Sequence, residues 1–206
     1  VGSEMCIRDS CSELLSRQDV KTMVDNIKQT NPTLIDDLIP GTISLGYLEK
    51  VLCLLLREGV PIRDMETILE TLGDHAGALK DIDIVTEYVR QALKRTITRR
   101  FAEANSLRVI TVDPKVEDTI VASVKKSEAG SYLAMDPDLI QKIVNITSGE
   151  IDKVKDVIPN IIILTSPIVR IYFKKLIDQF IPNITVLSYS EIDNTAQIQA
   201  IGNIAM

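Results

Sequence analysis

Tryptophan is absent from these 206 residues, and His75 is the only histidine. A zinc centre built on histidines, or a histidine-based catalytic triad, therefore has little material. The three cysteines, Cys6, Cys11 and Cys53, form no CxxC pair, which suits a reducing compartment rather than a disulfide framework. The nine glycines nowhere spell GxGxxG or GxxxxGK[ST], so no phosphate-cradling loop is encoded. Long apolar runs are missing too. The longest aliphatic stretch, residues 51–56, falls far short of the roughly eighteen residues of a membrane span. The first ten residues lack the apolar centre of a secretory signal.

What is present suits a folded globular chain. Hydrophobic residues make up 45% and charged residues 25%, which excludes disorder of the whole. A chain of this length buries roughly 70% of its unfolded surface, enough to fold without disulfides or metal. The formal net charge of −6 opposes generic binding to phosphate backbones. Residues 1–10, VGSEMCIRDS, share no period or cap with the rest of the chain and read as a foreign or disordered flank, excluded from the fold.

The pattern predicts a mixed α and α/β fold: an all-helical lobe with helix-turn-helix-like packing, then a small α/β domain containing a βαβ unit. Ser16 and Asp19 form a capping-box pattern ahead of Val20, Met23, Val24 and Ile27, and Pro32 is expected to stop that helix before a turn over 33–39. Ser44 caps a helix with Leu45, Leu48, Val51, Leu52 and Leu55 inside and Gly59 at its end. Asp64 opens a third, carrying Met65, Ile68, Leu69 and Leu72. One long helix is expected over about 82–100, with Val85, Tyr88, Val89 and Ala92 facing the core. From Leu107 the period changes to strand. Strands are expected at 107–112, 160–165, 184–189 and 197–204. Helices start at Asp113-Pro114, Asp136-Pro137 and Ser166-Pro167. A loop is expected at 128–132, a separate short helix around Ile151 and Val154, and a solvated stripe of Arg170, Lys174 and Asp178, with Phe180 inside.

The residues point to no catalytic, cofactor-binding or metal site. His75 lacks a nucleophile partner, Cys53 reads as core, and the acid pairs Asp36/Asp37 and Asp81/Asp83 lack calcium-loop spacing. The sharpest surface feature is the basic side of the long helix: Arg90, Lys94, Arg95, Arg99 and Arg100, candidates for protein binding. A helix-turn-helix regulator with an α/β ligand domain is the alternative. Against it, residues 33–101 hold nine bases and eleven acids, and the recognition-helix position carries Asp64, Glu66 and Glu70 with no base.

The stretch LLREGVPIRDMETILE, residues 55–70, resembles a signature of the FlhA/InvA-like family of type III protein export-gate proteins. So do TEYVRQAL at 86–93, LTSP at 164–167 and VLSYSEI at 186–192, in the same order. The resemblance implies a piece of an integral inner-membrane protein whose cytoplasmic half has four subdomains. On that likeness, residues 11–32 are the tail helix of a preceding subdomain, 33–106 a helical subdomain and 107–206 an α/β subdomain. It further implies a soluble chain at the cytoplasmic face of the bacterial inner membrane. Its expected partners are copies of itself in a ring, export chaperone–substrate complexes, the stalk of the export ATPase complex and other gate components. Nucleic acid, cofactors and catalysis are not expected.

Overall fold

The first helix begins where its capping chemistry dictates. Asp19 N donates to Ser16 Oγ at 3.2 Å, while Ser16 N and Oγ donate to Asp19 Oδ2 at 2.9 and 2.6 Å. That reciprocal box opens α1 (Arg17–Thr30). The computed structural model describes residues 15–127 and 130–206. The opening decapeptide, Cys6 and Cys11 lie outside the described residues. The chain divides into two units between Arg100 and Phe101.

In the first unit, α2 (Pro32–Leu38), α3 (Leu45–Arg57), α4 (Met65–His75), α5 (Ile82–Ala92) and α6 (Lys94–Phe101) come after α1. Leu48, Val51, Leu52 and Leu55 of α3, Ile68, Leu69 and Leu72 of α4, and Val85 and Val89 of α5 are fully buried. α4 packs on α5, and α3 on both α1 and α5. Gly59, at φ +71°, ends α3 in the left-handed region that suits a residue without Cβ.

Three expectations change here. Pro32 does not lead into a turn. It sits at the first position of α2, where its missing N–H costs nothing, and Asn31 Oδ1 caps Leu34 N at 3.3 Å. The long helix is two helices, α5 and α6, divided at Leu93, whose ψ of 14° leaves the α basin. The core face is also turned by one residue. Thr86, Arg90 and Leu93 are buried with Val85 and Val89, whereas Tyr88 and Ala92 are exposed. Thr86 and Arg90 tolerate burial because each has a partner: Thr86 Oγ1 donates to Ile82 O at 2.7 Å, and Arg90 pairs with Glu58.

The second unit is built on a four-stranded parallel sheet. Its strands are β1 (Ser106–Val112), β4 (Ile162–Thr165), β5 (Thr185–Ser188) and β6 (Gln197–Ile204), in the order β5-β4-β1-β6. Between β1 and β4 run α7 (Pro114–Ala122), a hairpin of β2 (Val124–Ser127) and β3 (Gly130–Leu133), and α8 (Pro137–Val154). α9 (Pro167–Asp178) joins β4 to the parallel β5, the expected βαβ unit. Asp113, Asp136 and Ser166 each precede a proline at the first helical turn, as read from the sequence. One core gathers Ile110, Ile163, Val186 and Ile204 of the sheet with Ile120, Ile143 and Phe173 of the three helices.

The segment expected as a loop at 128–132 belongs instead to the hairpin from Gly130 onward, with 128 and 129 outside the described residues. α8 runs unbroken through Gly149, because Val144, Thr147 and Ile151 keep one buried face in phase on both sides of it. Phe180 lies beyond the end of α9 and is 47% exposed rather than inside. Arg170 is buried at 1% exposure, so the Arg170, Lys174, Asp178 row is not a solvated stripe.

Candidate protein-binding site

α6 positions most of the basic residues singled out by sequence. Its buried side is Ile97 and Thr98, so Arg95 and Arg99, four apart, and Arg100 emerge on the exposed side. Lys94 is half-buried at the helix start. Arg90 does not join them. It sits at the end of α5, 1% exposed, with Nη1 3.3 Å from Glu58 Oε2 at the end of α3. It is a packing cation between two helices and does not belong to the candidate surface. Its polarity placed it outside in the sequence reading; only tertiary contact with Glu58 brings it inside.

Arg99 and Arg100 line a cleft of about 580 Å³ together with Pro61, Arg63, Asp64 and Thr96. Arg63 was not a sequence candidate. It lies on the extended link from α3 to α4, where buried Val60 and the Asp64 cap fix the backbone; Thr67 N donates to Asp64 Oδ1 at 3.3 Å. The only sequence signal for Arg63 was a charge in a proline-containing connector, and its approach to α6 is a tertiary fact. Three arginines thus line the cleft with one carboxylate, Asp64, that already serves as a helix cap. Guanidinium forks match carboxylates bidentately, so the cleft suits an acidic protein segment.

A second concavity, of about 410 Å³, is lined by Arg17, Lys50 and Arg57 but also by Glu49 and Asp83. Arg17 Nε lies 3.2 Å from Glu49 Oε2, so its charges are largely matched internally. Cys53 is half-buried on this wall rather than in the core. His75 stacks on Tyr88, with ring centroids 4.2 Å apart at 15°.

In the α/β unit, the start of α9 is where such sheets often take phosphate. Here Ser166 N donates to Glu117 Oε1 at 2.7 Å, so the chain's own carboxylate occupies that amide. Among the described residues no group of three or more His, Cys, Asp or Glu could hold a metal ion. No described helix is long and apolar enough to cross a membrane.

Known proteins share this outline. The flagellar biosynthesis protein FlhA of Bacillus subtilis (strain 168) is 39% identical over 197 residues, covering 95% of this chain and 29% of that protein. The chain therefore spans less than a third of the length of that curated relative. A solved complex of Chlamydia pneumoniae CdsV and CdsO matches with TM-score 0.85 and 32% identity, covering 98% of this chain and 59% of the matched one. A cryo-EM structure of nonameric EPEC SctV-C matches with TM-score 0.85 and 27% identity, covering 98% and 60%. The FHIPEP family model matches residues 3–197. By that span, and by the fold it shares with these relatives, the chain belongs to the FHIPEP family.

Proposed function

We propose that the chain is a docking and ring-forming module of a type III protein export gate, working at the cytoplasmic face of the bacterial inner membrane. The observation that carries this reading is the match of 98% of the chain to a nonameric relative, SctV-C. Similarity to a CdsV chain solved with CdsO supports a partner-binding role beside self-assembly. In this reading the ring receives export chaperone–substrate complexes and the stalk of the export ATPase, contacts other gate components, and does no catalysis. Residues 11–32 serve as the tail helix of a preceding subdomain, 33–106 as a helical subdomain and 107–206 as an α/β subdomain. The cleft of Arg63, Arg99 and Arg100, with Lys94 and Arg95 beside it, takes an acidic surface of a neighbouring copy or an export partner. The net charge of −6 supplies acidic complements on other copies. No relative or structural match favours the DNA-binding regulator.

Single exposed ion pairs contribute only about 0–1 kcal/mol, so the test reverses the cleft as a whole. Arg63→Glu, Arg99→Glu and Arg100→Glu are combined in the full-length protein, and folding is checked by circular dichroism. Ring assembly is followed by sedimentation velocity, and export by secretion assay. The expected outcome is weaker assembly or partner binding, most marked at low salt, and reduced secretion. A folded triple variant with unchanged assembly, partner affinity and export would leave the cleft a solvated surface.

A further inference from the structure

β6 is an edge of the parallel sheet, paired with β1 on one side and with no strand on the other among the described residues. Natural edges are blunted by lysine, proline, inward charge or a covering element. This one has none of the sequence devices: residues 194–206 contain no charged residue and no proline. Nor is its first half covered, since Gln197, Ile198, Gln199 and Ala200 are all exposed. Ile198 keeps 44% of its surface in water.

Register gives the orientation of the backbone. Gln197 N donates to Asn105 O at 2.9 Å, and Gln197 pairs with Ser106. A strand residue's N–H and C=O point to the same side, and successive residues alternate. Gln197 and Gln199 therefore direct their groups to β1, while Ile198 and Ala200 each present an N–H and a C=O to the open side. Past Ala200 the register with β1 shifts, which ends the regular stretch. Ile198 lies opposite Leu107 and Ala200 opposite Val109, on one face of the sheet; the two glutamines lie on the other.

We propose that the edge from Gln197 to Ala200 is a strand-addition site that takes an extended, uncharged polypeptide segment of a partner protein as a fifth strand. Only a polypeptide backbone supplies donors and acceptors alternating at strand spacing, so a helix or a small anion would leave this ladder unmet. The charge-free stretch offers no counter-charge to an acidic or basic segment. Cross-strand pairing selects apolar side chains beside Ile198 and amide or hydroxyl side chains beside the glutamines. The site lies on the α/β unit and stands independently of the basic cleft.

The probe is a fluorescein-labelled, end-blocked hexapeptide of sequence Thr-Val-Gln-Val-Gln-Thr, titrated into the 206-residue chain and read by anisotropy and amide hydrogen exchange. Saturable binding is expected, with protection of the Ile198 and Ala200 amides rising and that of Gln197 and Gln199 unchanged. Ala200→Pro removes one open-side donor without touching a bond to β1, a position where edges tolerate proline. It should weaken the peptide about tenfold, the loss expected for one hydrogen bond. Ile198→Lys places a charge on the edge and should also weaken binding; it serves if the proline variant fails to fold by circular dichroism. No saturable binding up to about 1 mM would overturn the proposal, that being the weak end of useful affinity. Protection gained elsewhere, or undiminished binding by a folded Ile198→Lys, would do the same. Self-association of the free chain that Ile198→Lys removes would assign the edge to a second copy instead.

Discussion

Arg170 and Glu191 lie almost wholly out of water, at 1% and 0% side-chain exposure, with Nε and Oε1 3.5 Å apart. Arg170 Nη1 also donates to Val186 O at 3.2 Å, and Glu191 Oε2 accepts from Ser188 N at 3.1 Å. The pair thus ties α9 to the short 3-10 turn at Tyr189–Glu191 just after β5. Removing both charges from water is costly, and their attraction only offsets it. Breaking the pair differs from replacing it. Glu191→Ala should cost about 3–5 kcal/mol in equilibrium unfolding, because a buried guanidinium is stranded. Arg170→Met with Glu191→Leu should recover most of that loss. A double variant as unstable as the single one would mean that the pair stabilises beyond its own desolvation.

At the level of the element, the helix starts were legible and the helix faces less so. Ser44, Asp64, Asp113 and Asp136 each accept a hydrogen bond from the first turn of the helix they precede. Caps are local chemistry, readable from three or four residues. Asp19 carries a pH consequence. Hydrogen bonds from the Ser16 hydroxyl and amide hold its carboxyl below the ordinary value of 3.8. A group with a lower pKa folded than unfolded stabilises the fold above the unfolded value, and that contribution is lost as pH falls through the folded value. Acid titration followed at the Ser16 amide should therefore show the cap releasing below pH 3.8, and Asp19→Asn should flatten that step. Gly149 offers a gain. A Cβ built there meets nothing within 4 Å, in the middle of α8. Gly149→Ala should raise stability by about 0.4–1 kcal/mol, chiefly by restricting the unfolded chain. Thermal unfolding measures it, and a lowered midpoint would mean that α8 needs the glycine.

For the molecule as a whole, charge separates a protein-docking module from a DNA-binding regulator. The helix-turn-helix reading required α4 to face phosphates with Glu66 and Glu70 on it, Asp64 at its cap and no lysine or arginine. Its apolar residues Met65, Ile68, Leu69 and Leu72 are instead consumed by the helical core. Mobility of a DNA duplex should be unchanged by the chain even at about 50 mM salt, where phosphate contacts are strong. A retarded band with steep salt dependence would restore the regulator. Protein partners are a better match to a chain of net charge −6 with an arginine-lined cleft at Arg63, Arg99 and Arg100.

Chain chemistry alone sets the caps, the proline-led helix starts, the change from helical to strand period near Leu107, and the family likeness carried by motifs such as LLREGVPIRD. These depend on neighbours within a few residues, so distant contacts hardly alter them. Tertiary contact decides where a polar residue on an amphipathic helix ends up. Arg90 and Arg170 became core because Glu58 and Glu191 stand where their guanidiniums point, and no local pattern encodes that meeting. The same holds for the cleft. Arg99 and Arg100 were visible as a basic helix end, but Arg63 joins them only because the link between α3 and α4 comes to line the same cleft within one unit. The open edge is a joint product: the absence of charge in residues 194–206 is written in the chain, whereas the sheet order leaves β6 outermost. Parallel pairing joins strands distant in the chain, so their order comes from packing helices on the sheet rather than from any local signal.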